Sequence, residues 1–278
     1  MNFIEILKSR KAYPGYPALD RRTEMGKIRY QNWLSNGRPT NVAYKLHSHP
    51  KYLRGIELGM AFDDGFGEAD VHEVDFAPSF TGEYPRDAAG RPVHPYAEQI
   101  FAAGLAIEGP GAYWNYGPNL CADPIVLGLG QDNKLKTVVI VRGDTGAVAF
   151  PGGFRDCAEA PMITAAREFH EETGIQIMVD DLCLVACVYQ GIVADPRTTL
   201  NAWPETSAFA IILRDGIIDS YEPIGQDDAA SARRVVVDKR LYGDISNMHV
   251  NYLKAAVDFY QEATHDIVLP DGSVRVND

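Results

Sequence analysis

Runs of apolar, β-branched residues recur along the second half of the chain, and most end at turn-forming residues. The strands that this pattern predicts are Val126–Leu129, Lys136–Val141, Ala147–Phe150, Leu182–Gln190, Ser207–Leu213 and Ala232–Val237. The segment Asn251–Ala263 instead has apolar residues at helical spacing. Together with a second helix described below, this order predicts an α/β fold in which helices flank a mixed sheet.

Residues 1–120 differ in composition, because glycine and proline recur every few positions. Such spacing leaves room only for turns, short strands and helices near Arg22–Leu34 and Tyr96–Ala106. We therefore predict two domains. The first is an irregular α+β region at 1–120, and the second, at 121–278, carries the regular sheet.

Composition excludes two classes of partner. The 278 residues include 26 basic and 38 acidic side chains, a net charge of −12. A nucleic-acid-binding protein displaces counterions with clustered Lys and Arg, so an acidic chain without a basic block predicts no nucleic-acid partner. The apolar runs fall far short of the roughly 20 residues that span a bilayer, so no membrane partner is predicted either.

The cysteines bear on the cellular compartment. The chain has 4 cysteines, with no C-x-x-C pair, and these are too few for a disulfide framework in a chain of this length. The first residues also lack the apolar core of a secretion signal. These features predict a cytoplasmic protein, and we expect it to be a monomer or a weak dimer.

A helix is predicted from Pro161, which suits a first helical position, to Thr173, before the stop at Gly174. At about 100° per residue, one face carries three carboxylates, which are expected to point outward together. These are Glu168, Glu171 and Glu172. The opposite face is apolar and is expected to pack on the sheet. Its members are Met162, Ala166 and Phe169.

Carboxylates this close repel one another unless a positive group lies among them. A hard divalent cation fits this need, because Mg²⁺, with Mn²⁺ as an alternative, binds carboxylate oxygens and bridges them to phosphates of a substrate. Gly152 allows close approach of the backbone, so its carbonyl is a candidate metal ligand. Arg167 is expected to orient a carboxylate. An isolated pair of glutamates, by contrast, is ordinarily a solvated surface.

The surrounding spacing is far more specific than a pair of glutamates. Gly153, Glu159 and the run from Arg167 to Ile175 would occur together by chance on the order of once in a million chains. They resemble the Nudix box, G-x5-E-x7-R-E-U-x-E-E-x-G-U with U a bulky apolar residue, and fill every specified position. This resemblance implies that 121–278 is a Nudix α/β/α sandwich. It also implies Mg²⁺-dependent hydrolysis of a nucleoside diphosphate derivative, with Glu168, Glu171 and Glu172 as metal ligands.

Two further segments narrow the substrate. Residues 195–206, D-P-R-T-T-L-N-A-W-P-E-T, resemble the D-P-R-N-T-D-N-A-W-x-E-T signature of mitochondrial ADP-ribose pyrophosphatases and of the related domain of melastatin-type cation channels. Residues 116–125 resemble their W-G-P-N-H-A-A-D-P-I. The resemblance implies an ADP-ribose-like substrate. Three positions depart from it, where Tyr116 and Arg234 replace Trp and Leu200 replaces Asp.

The residue types in these segments suit such a ligand, and the N-terminal domain is expected to contribute to its binding. Arg197 is a candidate for a phosphate, and Asp195 and Asn201 for ribose hydroxyls. Tyr116 or Trp203 is a candidate for stacking on adenine. Asn119 is a further candidate for contact with the substrate. Each has a structural alternative, since Asp-Pro-Arg also forms turns and a Trp is often a packing anchor.

The predicted reaction is hydrolysis of the pyrophosphate of ADP-ribose to AMP and ribose 5-phosphate, with Arg167 and the three box glutamates in catalytic roles. The base that activates water is a box glutamate or a carboxylate from another loop, with Asp228 or Glu205 as candidates. Two alternatives stay open. One is a Nudix hydrolase of NADH, a nucleotide sugar or a dinucleoside polyphosphate. The other is a non-catalytic ADP-ribose sensor, which the intact R-E-U-x-E-E core disfavours.

Overall fold

The computed structural model describes residues 3–8, 79–86, 90–103, 105, 113, 116–143, 145–155 and 159–276. The helix predicted near Arg22–Leu34 lies outside these residues. Within them, no helix combines the length and the apolar character needed to cross a bilayer.

The regular elements that the structure describes in the second half of the chain are mostly strands, with three α-helices placed among them. The helices are α1 (Phe3–Lys8), α2 (Ala97–Ala102), α3 (Pro161–Thr173), α4 (Lys239–Asp244) and α5 (Asn247–Thr264). The strands are β1 (Gly117–Leu129), β2 (Leu135–Arg142), β3 (Val148–Ala149), β4 (Gly153–Phe154), β5 (Leu182–Ile192), β6 (Ala202–Leu213), β7 (Ala229–Val236), β8 (Ile267–Val268) and β9 (Val274–Arg275).

Seven strands form one sheet, in the order β3-β2-β1-β6-β5, with β4 paired to β1 and β7 paired to β2. β1 and β2 form an antiparallel hairpin in which Leu127 faces Thr137. Asn133, in the turn between them, has a φ of 58°, a left-handed conformation that Asn tolerates well. The antiparallel pairing of β4 with β1 places Gly153 opposite Ala122. It thereby fixes the backbone just ahead of α3.

Both faces of the sheet are covered at β1, β2 and β6, which explains why these strands are apolar at successive positions. On one face, Val126 and Val138 pack with Phe169 of α3. On the other, Ile125, Leu127 and Val139 pack with residues of α4 and α5. This three-layer arrangement confirms the predicted α/β/α sandwich with a mixed sheet.

Several element bounds differ from the prediction. β1 begins at Gly117 and β6 at Ala202, well before the predicted starts, because backbone pairing extends both strands through proline-containing segments. The helix predicted over Tyr96–Ala106 is observed at Ala97–Ala102. On α3, Ala165 is buried and Ala166 is exposed, so the prediction that Ala166 packs on the sheet is wrong.

Backbone contacts divide the chain into two compact units that are not continuous in sequence. The first comprises the described residues up to Leu120 together with Gly191–Glu205, and the second comprises Cys121–Gln190 and Thr206 onward. Residues 191–205 therefore belong with the N-terminal part of the chain although they include the end of β5 and the start of β6.

Candidate active site

Helix α3 carries the box and has the predicted bounds. Pro161 suits the first helical position, where a backbone N–H has no partner within the helix. Gly174 ends the helix with a left-handed φ of 69° and donates its N–H to the His170 carbonyl. These two residues fix the length of the helix and with it the positions of the glutamates.

Arg167 is the centre of an ion-pair network. Its Nη1 lies 2.8 Å from both Glu168 Oε1 and Glu171 Oε2. Its Nη2 donates to the Phe154 carbonyl at 2.9 Å, and its Nε donates to Glu159 Oε1 at 3.2 Å. Burial alone would lower the pKa of Arg167, but the hydrogen bonds to three carboxylates raise it. One guanidinium therefore holds Glu159, two box glutamates and the backbone of β4 in a fixed relation.

The prediction that the three carboxylates point outward together is wrong, because other segments cover this face. Glu168 is 8% exposed and Glu172 3%, whereas Glu171 stays partly exposed. The backbone of Gly153 lies directly against Glu168, since a Cβ at that position would be 2.4 Å from Glu168 Oε1. Any larger residue at Gly153 would displace the carboxylate.

Glu172 is the most perturbed of the three glutamates. Its Oε2 accepts the N–H of Gly152 at 2.9 Å. Burial raises its pKa to about 7, and the neighbouring charges of Glu168 and Asp228 add to the rise despite that hydrogen bond. Burial also raises the pKa of Glu168, against the opposing effect of Arg167. Both glutamates thus lie in surroundings that disfavour their ionised, negatively charged forms.

Without metal, this perturbation makes folding stability depend on pH. The pKa of Glu172 is about 7 in the folded protein, whereas that of an unperturbed glutamate is 4.5. The folded state therefore binds the proton more tightly than the unfolded chain does. We expect its contribution to stability to be full below pH 4.5 and lost as pH rises through 7, a change of about 3 kcal/mol. Urea unfolding in EDTA at pH 5 and pH 8 measures it. In Glu172→Gln this part of the difference should vanish. An equal pH dependence in both proteins would contradict the assignment.

The surroundings of the glutamates fit a hard divalent cation. Among the described residues, no three His, Cys, Asp or Glu side chains are already arranged to hold a metal. The donors are nevertheless all oxygen. Burial and neighbouring carboxylates raise the pKa values of Glu168 and Glu172, and a bound cation would offset this effect by stabilising the ionised forms. Glu168 and Glu171 are turned toward Arg167. At Gly152 it is the amide N–H that contacts Glu172, and the role of its carbonyl stays a prediction.

Asp228 lies in the loop that closes over the end of α3. The N–H of Gln226 donates to the Glu172 carbonyl at 3.3 Å, and the N–H of Ile224 donates to the Thr173 carbonyl at 2.9 Å. Asp228 itself is exposed, and its negative charge contributes to the raised pKa of Glu172. A second carboxylate, Asp227, acts in the same way on the pKa of Glu168. The loop thus adds negative charge to the box.

The proposed substrate-binding residues lie in the first unit, where two of them form an ion pair. Arg197 Nε lies 2.9 Å from Asp195 Oδ1, and its Nη2 lies 2.7 Å from Oδ2. Although burial alone would raise it, this pairing holds the pKa of Asp195 below its usual range. The guanidinium also lies 5.5 Å from the centre of the Tyr113 ring. The Asp-Pro-Arg turn therefore holds the Arg197 guanidinium in a fixed direction through a bidentate ion pair.

Two asparagines of the predicted set are buried and bonded to backbone. Asn201 Nδ2 donates to the Pro92 carbonyl at 2.8 Å, and the Asn201 carbonyl accepts the N–H of Gly117 at 2.7 Å. Asn119 Nδ2 donates to the Gly117 carbonyl at 3.1 Å. Tyr116, in the same segment, is also buried. These contacts bring residues 116–119 and 201 together, and their roles toward a ligand stay predictions.

Trp203 and Glu205 form a buried structural pair. The Trp203 indole donates to Glu205 Oε1 at 2.7 Å, and its ring meets Tyr84 and His94 edge-on at 5.5 and 5.0 Å. Glu205 also accepts the Ser79 hydroxyl and the Phe80 N–H. With so many donors already bonded to it, Glu205 anchors the N-terminal segment. Asp228 is consequently the stronger candidate for a base, and stacking by Trp203 stays a prediction.

Two partly buried groups lie beside the box and have no role predicted from the sequence. Asp123 Oδ1 lies 3.9 Å from His249 Nε2, and its Oδ2 accepts the Thr206 hydroxyl. Burial raises the pKa of Asp123 and lowers that of His249, so both are driven toward their neutral forms. Asp123 belongs to the segment 116–125 but was given no role there, and His249 belongs to no motif. Only the fold brings β1 and α5 together here.

Comparison with known proteins agrees with this architecture. The NUDIX domain model matches residues 124–228. A Caenorhabditis elegans protein named "Putative nudix hydrolase 6" is 36% identical over 153 residues, which are 53% of this chain and 56% of that protein. The chain thus spans just over half the length of this relative.

A second relative aligns over most of both chains. The mitochondrial ADP-ribose pyrophosphatase of Rattus norvegicus is 31% identical over 263 residues, covering 82% of this chain and 71% of that protein. Among solved structures, a MutT/nudix family protein from Enterococcus faecalis is similar over 61% of this chain and 70% of its own, with 18% identity and a TM-score of 0.42. The chain belongs to the Nudix family, which confirms the family resemblance of its box.

Proposed function

We propose that this Nudix protein hydrolyses the pyrophosphate of ADP-ribose and releases AMP and ribose 5-phosphate. The observation that carries the proposal is the similarity to an ADP-ribose pyrophosphatase over 82% of the chain, far beyond residues 124–228. The segments at 116–125 and 195–206 give further support, because they hold the side chains proposed for the phosphate and the ribose.

The box supplies the groups that the chemistry needs. Glu168, Glu171, Glu172 and the Gly152 carbonyl would hold Mg²⁺ or Mn²⁺, which neutralises phosphate charge and makes a bound water more acidic. Arg167 is expected to fix the directions of Glu168 and Glu171 through its 2.8 Å contacts. Orientation of this kind lowers the reorganisation that accompanies the transition state.

Proton transfer is assigned to Asp228, with the box glutamates as alternatives. Asp228 is exposed, so it can accept a proton from an attacking water and return it to solvent. Glu205 is enclosed and accepts three hydrogen bonds, which supports a structural role instead.

Substrate contacts are assigned to the first unit. Arg197 is proposed to bind a phosphate of the substrate. This phosphate must compete with the Asp195 carboxylate for the guanidinium. Asn201 and Asp195 are proposed to bind ribose hydroxyls, Tyr116 or Trp203 to bind adenine, and Asn119 to shape the same pocket.

The cytoplasmic location stays a prediction, and the rat relative is described as mitochondrial. The monomeric or weakly dimeric state is likewise a prediction.

Release of AMP from ADP-ribose tests the proposal directly. We expect kcat/KM for ADP-ribose with Mg²⁺ to exceed that for NADH, a nucleotide sugar and a dinucleoside polyphosphate by about a hundredfold or more, because a pocket built to hydrogen-bond one substrate discriminates strongly against others. Chromatographic quantification of AMP and ribose 5-phosphate measures it, with EDTA as the metal-free control.

The same assay separates the alternatives. A rate on ADP-ribose no higher than on the other substrates would replace the proposal with a different Nudix hydrolase. ADP-ribose binding in calorimetry without any AMP release would favour a sensor.

A further inference from the structure

The segment Phe150–Gly152, here termed the box loop, joins β3 to β4 and delivers the Gly152 amide to Glu172. It contains only three residues, and the strands on either side of it have two residues each. Such short strands contribute few ladder hydrogen bonds. The direction of the Gly152 N–H therefore depends on contacts that the loop makes with other elements.

His249 of α5 makes one of these contacts. Its Nδ1 accepts the N–H of Phe150 at 2.9 Å, so in the neutral ring the proton is on Nε2. Its ring also stacks on the Phe150 ring, with centres 5.7 Å apart and planes 30° apart. Tyr252, one turn further along α5, lies 5.7 Å from the His249 ring and limits its movement. A side chain of a long, well-packed helix thus fixes the first residue of the loop.

Asp123 of β1 makes the other contact. A Cβ at Gly152 would lie 2.4 Å from Asp123 Oδ1, so the carboxylate lies directly against the Gly152 backbone. The Thr206 hydroxyl donates to the other carboxylate oxygen, and His249 Nε2 lies 3.9 Å from Oδ1. Asp123 and His249 therefore contact opposite ends of the box loop and face each other.

We propose that Asp123 and His249 are positioning residues for the hydrolysis. They hold the box loop so that the Gly152 amide stays directed at Glu172 Oε2, 2.9 Å away. They act through the loop backbone and need no contact with substrate. The proposal rests on the proposed function for its effect on turnover, whereas the effect on the loop itself is independent of any substrate.

Three variants of His249 separate the two contacts. His249→Asn places an amide oxygen near the position of Nδ1 and keeps an acceptor for the Phe150 N–H. His249→Gln keeps an amide near Asp123 but has no acceptor at the Nδ1 position, and His249→Ala has neither group. Tyr260→Phe is the matched control, because it keeps the ring and removes only a hydroxyl that bonds to Asp266, further along the same helix.

Amide hydrogen exchange of the metal-free protein provides the first measurement. We expect exchange at Phe150 and Gly152 to accelerate about tenfold or more in His249→Ala and His249→Gln, because the loop opens locally without its anchor. His249→Asn and Tyr260→Phe should stay close to the unsubstituted protein. Unchanged exchange at Gly152 in His249→Ala would overturn the proposal. If His249→Ala does not fold, the exchange rates of His249→Asn and His249→Gln are compared instead, and equal rates in these two variants would overturn the proposal.

Steady-state kinetics with Mg²⁺ provides the second measurement. We expect kcat to fall about tenfold to a hundredfold in His249→Ala and His249→Gln while KM changes little, and His249→Asn to restore most of the loss. A rise in KM with unchanged kcat would overturn the proposal, because it would indicate direct contact with substrate. Should the unsubstituted protein hydrolyse none of the tested substrates, the proposed function fails, and the exchange rates still decide whether His249 holds the loop.

Discussion

Glu172→Gln is expected to lower kcat for the preferred substrate by at least about a hundredfold, the loss typical for removal of a group that stabilises charge in the transition state. Gln keeps the size of the side chain and an oxygen that accepts the Gly152 N–H, so the fold should be retained. What is lost is the negative charge, and with it a metal ligand. Initial rates with saturating Mg²⁺, together with circular dichroism, measure both effects.

Glu262→Gln is the matched control for this experiment. Glu262 lies on α5 and is exposed, so the same chemical change there should leave kcat unaltered. Near-normal turnover in Glu172→Gln would remove Glu172 from the proposed metal ligands. A loss of turnover with loss of the folded signal would show a structural effect instead.

Arg167→Met is expected to lower the free energy of unfolding by about 2 kcal/mol and to lower kcat at least about tenfold. The substitution leaves Glu159, Glu168 and Glu171 without their common partner. Removing one member of a fully buried pair costs about 3–5 kcal/mol, and the smaller value applies because 23% of the Arg167 side chain is exposed. Urea unfolding in EDTA gives the stability, and AMP release gives the rate.

A surface ion pair provides the comparison for Arg167. In the pair Arg240–Asp244, the Arg240 side chain is 87% exposed, so Arg240→Met should change stability by less than about 0.5 kcal/mol. Arg167→Lys should fall between the two, since one ammonium cannot replace a guanidinium that bonds to groups on several sides. Equal effects of the Arg167 and Arg240 substitutions would show that the network contributes nothing beyond ordinary surface charge.

The helix that carries the box was predictable from sequence because its determinants are local. Pro161 and Gly174 set its ends, and the spacing of the glutamates set the face they share. The cover over that face was not predictable, because it comes from β4 and from the loop before β7, which are remote in sequence. Burial of Glu168 and Glu172, and hence the raised pKa of each, depends on this cover.

The predicted first residues of β1 and β6 were wrong for a related reason. The beginnings of β1 and β6 contain Pro118, Pro124 and Pro204, which local rules assign to turns. Pairing between distant segments outweighs those preferences, as where Gly153 lies opposite Ala122. Asp123 and His249 were missed because their relation exists only in three dimensions. No spacing in one dimension connects a residue of β1 with a residue of α5.

The discontinuous first unit limits how this chain can be divided. Residues 191–205 include Leu200 and Trp203, both fully buried, and Trp203 packs against Tyr84 and His94 of the N-terminal part. A fragment that begins at Cys121 would contain the whole box, yet it would expose this segment to water. A gene fusion or a duplication that inherits only residues 121–278 would therefore carry a hydrophobic strand start without its covering layer. Proteolytic removal of the N-terminal part would expose the same apolar side chains, so the two parts are expected to lose their folded state together.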